Sequence, residues 1–502
     1  MSLMGIDVGS TGTKAVVFDL EGNQLAGSYR EYPELHPRPG WIELEPQRVW
    51  DAVRAVIGEA AAKAGGDPVQ ALSISALGES FTSIDQDGNY LHNTITSPDN
   101  RCVSQAESWR ERLGELAVFR ITGMPLHPSF TLNKIMWLRD EMPDVYRKTW
   151  KCLLWPDMIW YKLGLEPTTD HTLAGRTMAF DIVKKQWSET MLSAADVSPE
   201  LFATAVASGT VLGEIPAPAC EELGLPRGVV AVASGHDQPM NALGAGVIRE
   251  GMAVDGMGTV ECITVAFDEP VLNEGMLRNN FCCYPHAAPD MYASLAFTYS
   301  SGSVLRWYRD NFASAEMAEA QQSGQDVYDI ILSNLPDEPT GVFLVPYFAG
   351  SGTPYLDPLA KGVIIGLDLS VDKKRFVKAI LEGICYELHL NVSRLAEAGI
   401  AIDRLRATGG GSKSAYWLQL KADITGKEVV TLNVTESGCQ AGAILGGVAT
   451  GAYASVAEAV DVLVKERSSF SPDPKRHARY QELFATYRDV WPRIGDLARR
   501  SA

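Results

Sequence analysis

Positive charge is in short supply in this 502-residue chain: 44 lysines and arginines stand against 62 aspartates and glutamates, a formal charge of −18. That balance argues against nucleic acid and anionic membrane as partners, since both attract basic surfaces. A strongly anionic substrate would need its own basic pocket. A neutral substrate with a nucleotide held through Mg²⁺ suits the composition better. Long apolar runs are also missing. None approaches the roughly 18 residues of a membrane span, and no basic-then-apolar leader opens the sequence. The eight cysteines occur singly apart from Cys282-Cys283, with no paired metal-ligand spacing. They read as reduced, mostly buried thiols of a cytoplasmic protein. Length predicts two or three domains, each with its own core.

Two nucleotide motifs are absent as well. No Gly-Lys-Ser/Thr follows the first Gly-rich loop at Walker A spacing, and Gly9 and Gly12 lack the third glycine of a dinucleotide fingerprint. What is present is Met4-Gly5-Ile6-Asp7-Val8-Gly9-Ser10-Thr11-Gly12-Thr13-Lys14, followed by Ala15 to Asp19. Two apolar runs flanking a small polar turn predict a strand–turn–strand hairpin. Its backbone N–H groups and hydroxyls can converge on an anion, with Lys14 supplying charge. Asp7 beside a phosphate calls for a cation between them, so hydrated Mg²⁺ is implied. An ordinary hairpin turn is the plainer alternative.

Further along, the pattern predicts a third antiparallel strand over Gln24–Glu31, a helix from near Gln47 to Ala64, and a strand over Val69–Ser75. A mainly helical stretch runs from Val103 to about Leu163. Val229–Ser234 reads as a buried strand followed by a helix over Pro239–Ala245. Near mid-chain, Gly251-Met252-Ala253-Val254-Asp255-Gly256-Met257-Gly258-Thr259-Val260 repeats the strand and Gly/Thr turn. Two α/β halves opening on phosphate-type hairpins suggest duplication, with a cleft between lobes. Helices are expected over Lys373–Ala398, Ser414–Thr425, Gln440–Thr450 and Lys475–Arg500.

The chain resembles the FGGY family of carbohydrate kinases over essentially its whole length. Ser129-Phe130-Thr131-Leu132-Asn133-Lys134-Ile135-Met136-Trp137 through Glu141 fits the family's first signature. Gly362 to Leu367, then Phe376 and Ala379 to Gly383, fits the second, except that Arg375 stands where an acid, amide or histidine is usual. The resemblance implies a two-lobed α/β actin-like ATPase fold, ribonuclease H-like and duplicated about a central cleft. Residues 1–250 would carry the sugar site and first phosphate loop, and residues 251–502 the nucleotide site.

By the same resemblance Asp237, in Ser234-Gly235-His236-Asp237-Gln238-Pro239, is the general base that takes the proton of the attacking hydroxyl; a helix N-cap is the plainer alternative. Gln238 resembles a substrate-contacting amide, and His236 a structural histidine. Asp7 would hold Mg²⁺ through water. Gly9, Ser10, Thr11, Gly12, Thr13 and Lys14 would embrace the ATP phosphates, with Gly258 and Thr259 as the matching loop and Gly302 as a further nucleotide contact. Gly409, Gly410 and Gly411 would lie against adenine and ribose.

Glu79 reads as a hydroxyl acceptor for the substrate, or else an exposed loop acid. Asp99 and Arg101 match the family's Asp-x-Arg, or else form a structural ion pair. Ser97 and Ser129 replace aromatics and predict a pocket roomier than glycerol needs. The expected reaction is ATP-dependent phosphorylation of a primary hydroxyl of a small sugar. A xylulose-type ketopentose comes first, with polyols (erythritol, xylitol, glycerol) or aldonates as alternatives. From other classes, an actin-like ATPase without sugar dependence and a silent sugar-binding regulator compete. A homodimer is left open.

Overall fold

In the computed structural model, which describes residues 1–500, the chain builds one sheet topology twice. The first, six-stranded sheet opens with the antiparallel meander Ser2–Val8, Gly12–Phe18 and Gln24–Glu31. Val69–Ala76 lies parallel to Ser2–Val8, Val230–His236 runs parallel beyond it, and Val211–Glu214 closes the edge antiparallel. The second, seven-stranded sheet repeats this order. Gly251–Met257, Glu261–Phe267 and Tyr292–Thr298 form its meander. Ile402–Thr408 and Glu428–Leu432 follow in parallel, and Glu466–Phe470 closes the edge antiparallel. This is the duplicated, two-lobed α/β architecture expected.

Parallel strands need covering helices on both faces. One face of the first sheet is covered by Pro46–Lys63, whose Val49, Val53, Val56 and Ile57 are buried at helical spacing, and by Trp155–Lys162. The other face is covered by Asp237–Gly244 and, from the far half of the chain, by Ser437–Ala449. That approach is close: a Cβ on Gly5 would sit 1.9 Å from the Cys439 carbonyl oxygen, so only glycine fits there. The contact brings Glu436, Gly438 and Cys439 to the cleft beside Asp7.

The stretch from Val103 to Leu163 is mainly helical, as expected, and includes the short strand Lys151–Leu153, which pairs with Thr82–Ile84. One helix expectation changes. The terminal helix is two, Pro474–Tyr487 and Val490–Arg499. Pro492 supplies no N–H and crowds the carbonyl four residues back, so a continuous helix cannot pass Arg488. Among the described residues no helix is long and apolar enough to cross a membrane.

Candidate active site

Strand Val230–His236 is irregular between Val232 and Gly235, which turns its end toward the cleft. The His236 N–H donates to Thr172 Oγ1 at 2.7 Å, and Thr172 is itself held by Asp170. Asp237 then begins a helix but does not cap it; no side-chain cap hydrogen bond is made there. Its carboxylate, 29% exposed, faces a cavity of about 480 Å³. His236 Nε2 lies 3.1 Å from Asp237 Oδ1, and His236 Nδ1 lies 3.0 Å from the Tyr284 hydroxyl. Burial drives the histidine down to about 3, so the ring is neutral. The buried Tyr284 hydroxyl can donate to Nδ1, which leaves the ring proton on Nε2, on the Asp237 side, although Asp237 Oδ1 accepts no hydrogen bond among the described residues. Gly78 makes room for this arrangement: a Cβ there would meet the His236 ring at 2.7 Å.

Burial, with the negative charges of Asp7 and Glu79, raises Asp237 to about 7. A carboxylate poised there accepts a proton readily near neutral pH.

Glu79 lines the same cavity and is buried, not an exposed loop acid. Its backbone sits at φ +60°, an uncommon conformation for a non-glycine residue. Two side chains of the helix Thr131–Glu141 hold it there: Thr131 Oγ1 and Lys134 Nζ each donate to the Glu79 carbonyl at 3.0 Å. Its carboxylate accepts from Arg176 Nε at 2.5 Å. Burial alone would raise Glu79, but the Arg176 and Lys134 cations more than offset this and hold it below the usual carboxylate range. Ser97, Ser129, His127 and Gln238 complete the polar wall.

Asp7, Asn241, Glu436 and Gly438 line an adjoining cavity of about 220 Å³. Gln238 and Cys262 border both spaces, so Asp7 and Asp237 face neighbouring parts of one cleft. Asp7 accepts from Ser75 Oγ at 2.7 Å. Burial raises it, outweighing Ser75 and Lys14. A third cavity of about 510 Å³ gathers Gly258, Thr259, Gly302, Gly410 and Gly411, with Trp417 on its wall. Gly409 borders the middle cavity instead.

The first two spaces share lining residues, and the third gathers the Gly/Thr turn and glycines of the second half of the chain. In comparison with known proteins, the FGGY carbohydrate kinase N-terminal domain matches residues 2–244, and the C-terminal domain residues 256–454. The chain belongs to the FGGY family of carbohydrate kinases. Xylulose kinase from Bacillus subtilis (strain 168) is 26% identical over 500 residues, covering 99% of this chain and 97% of the relative. Gluconokinase from the same strain is 29% identical over 502 residues, covering 99% and 95%. The structure of ligand-bound xylulose kinase from Lactobacillus acidophilus matches with a TM-score of 0.91 at 25% identity, over 100% of both chains. As a kinase of this family, the chain takes ATP as substrate.

Other expected residues differ in how they meet the cleft. Asp99 and Arg101 do not line the sugar-side cavity. They form a fully buried pair, Arg101 Nη2 to Asp99 Oδ2 at 2.7 Å, tied also to Glu43 and packed on Trp41. Lys14 gives its ammonium to Glu436 at 2.7 Å across the cleft edge. In the first turn, Gly9 N–H bonds the Gly12 carbonyl and Thr13 Oγ1 bonds the Asp7 carbonyl. Ser10 reaches the sugar-side cavity, while Thr11 is exposed. Sequence reasoning missed Arg176, Tyr284 and Glu436. No spacing marks them, because each reaches the cleft from a distant segment.

Proposed function

We propose that this FGGY kinase transfers the γ-phosphoryl group of ATP to a primary hydroxyl of a small sugar, a ketopentose of the xylulose type first. The observation that carries the reading is that Asp237 and Asp7 open onto adjoining cavities that share Gln238 and Cys262. Asp237 takes the hydroxyl proton as the oxygen bonds to phosphorus and the bridging bond to ADP breaks. The Gly9–Gly12 turn and the Gly258-Thr259 turn, from facing lobes, supply N–H groups to the phosphates. Gly302 and Gly409–Gly411 lie along the nucleotide. Asp99 and Arg101 act as the rigid backing of the sugar wall. On this reading residues 1–250 handle the acceptor and 251–502 the nucleotide, with Ser437–Ala449 crossing back to join them.

Magnesium fits the residues at Asp7. The carboxylate is desolvated, its one hydrogen bond comes from a hydroxyl, and the nearest ammonium, Lys14, is engaged by Glu436. A hydrated ion needs one such carboxylate plus phosphate oxygens, and when bound it offsets phosphate charge.

The test is a coupled ADP-release assay over ketoses, alditols and aldonates, with Asp237→Asn alongside. The variant should keep nucleotide binding and lose about 10²–10⁴-fold in sugar-dependent turnover. Near-normal turnover removes Asp237 from the base role.

A further inference from the structure

Facing Asp237, the sugar-side pocket holds one permanent cation, and that cation is already engaged. Arg176 Nε donates to Glu79 Oε1 at 2.5 Å, and Nη2 pairs with the same oxygen. The guanidinium lies 5.2 Å from the ring centres of both Phe130 and Tyr284, clamped between them. Both histidines of the wall are neutral, since burial takes His127 to about 4 and His236 to about 3. Lys134 lies behind the wall and spends its ammonium on the Glu79 carbonyl. Glu79 Oε2, meanwhile, has no hydrogen-bond partner among the described residues.

We propose that the Glu79–Arg176 pair is a charge filter that admits neutral polyhydroxy acceptors, ketoses or alditols, and rejects aldonates. This rests on the kinase reading above and narrows it to one substrate class. A substrate hydroxyl can donate to Glu79 Oε2 and needs no counter-charge. A substrate carboxylate would have to share the Arg176 fork with Glu79 while facing the like charge of Glu79 Oε2, with the Asp237 carboxyl in the same pocket. Thr131 and Lys134 fasten the Glu79 backbone, and the buried carboxylate is itself held by two nitrogens of Arg176, so the pair forms one fixed unit. Glu79 is thus the specificity residue. Arg176 is a positioning residue that acts through it.

Glu79→Gln tests the filter, because it removes the competing charge and leaves Arg176 in place. D-xylulose, xylitol and D-gluconate serve as probes, read by ADP release and separately by ligand-induced thermal shift. The unmodified enzyme should use gluconate at least about 100-fold less efficiently than its better neutral probe. In Glu79→Gln the ratio of kcat/KM for gluconate over the neutral probe should rise by about tenfold or more. Arg176→Met should give no such rise, although it too breaks the pair; a merely structural role would make the two variants alike.

Gluconate turned over as well as the neutral probes, or a ratio unchanged in Glu79→Gln, overturns the filter and leaves the kinase reading intact. Selective binding of neutral probes without sugar-dependent ADP release defeats the kinase reading and leaves the filter standing. Binding of no probe overturns both. Should Glu79→Gln fail to fold, thermal shifts of the unmodified protein decide: gluconate stabilising it as much as xylulose overturns the proposal.

Discussion

Asp7, near the end of strand Ser2–Val8, borders the cleft and accepts one side-chain hydrogen bond, from Ser75. Asp255, near the end of Gly251–Met257 in the repeated sheet, is fully buried and paired with Lys421. Lys421 reaches Glu261 as well, at 2.7 Å, and Glu261 takes a 2.6 Å hydrogen bond from Ser301, next to Gly302. The two hairpins share topology and turn chemistry, yet only the second acid is paired with a cation, Lys421 from the helix Ala415–Thr425; Lys14, across the ladder from Asp7, pairs with Glu436 instead. A sealed carboxylate with an internal counter-charge can brace the Gly258-Thr259 turn and the Gly302 helix start. On the proposed reading, a carboxylate left without one can take a cation that arrives with the nucleotide. The role of each acid follows from its neighbours, which lie far off in sequence.

The largest expected effect tests this contrast directly. Asp7→Asn should lower sugar-dependent kcat/KM by about 10³-fold or more, several kcal/mol of transition-state stabilisation. Its urea stability should be unchanged or higher, since a desolvated charge is removed. Asp255→Asn should do the reverse, with reduced stability and turnover affected through the KM for ATP. If the two variants lose stability and turnover in the same proportion, the division of labour between the lobes is wrong.

Next in size is Lys421→Met. It strands Asp255 and Glu261 without a cation and should cost roughly 3–5 kcal/mol of unfolding free energy. Adding Asp255→Asn and Glu261→Gln removes the stranded charges and should restore much of that loss, because neutral partners carry no uncompensated burial cost. Chemical denaturation of the single and triple variants measures both. A single variant as stable as the unmodified protein would show that the cluster braces nothing.

How much of this was legible beforehand divides along the same line. Local chemistry was readable: the Asp7–Lys14 hairpin, the Val230–His236 strand running into Asp237, and the glycines of 409–411 announce themselves through turn residues and apolar spacing. The helix boundaries of Pro46–Lys63 and Lys373–Glu397 fall within a residue or two of the pattern. What stayed hidden are partners that the fold brings in from afar. Arg176 meets Glu79 across 97 residues, and Lys421 meets Asp255 across 166. Lys134 belonged to a visible signature, but its task of holding the Glu79 carbonyl appears only once the loop and helix are placed. Asp99 and Arg101 show the converse: a recognisable motif whose side chains turn inward to each other.

The smallest effect concerns how the first lobe tunes Asp237, the proposed base. Asp237 sits near 7 because burial, Asp7 and Glu79 disfavour its charge, so sugar-dependent kcat/KM should rise with pH through about 7 as the carboxylate forms. Asp255, sealed and paired, should leave no mark on that profile. The stability consequence has the matching sign. A folded-state value above the unfolded one contributes stability below about pH 4 that is lost as pH rises through 7, so Asp237→Asn should gain stability over the parent at pH 8 and not at pH 4. Tyr284→Phe refines the picture. Without the hydroxyl on Nδ1, the His236 proton is no longer fixed on Nε2, and the N–H dipole 3.1 Å from Asp237 Oδ1, which favours the charged carboxylate, weakens. The limb should move to higher pH and kcat should fall about 2–10-fold, the worth of one buried hydrogen bond, with KM for the sugar unchanged. A profile that does not move would mean that His236 only fills space beside Gly78, and that the base is set by its acidic neighbours alone.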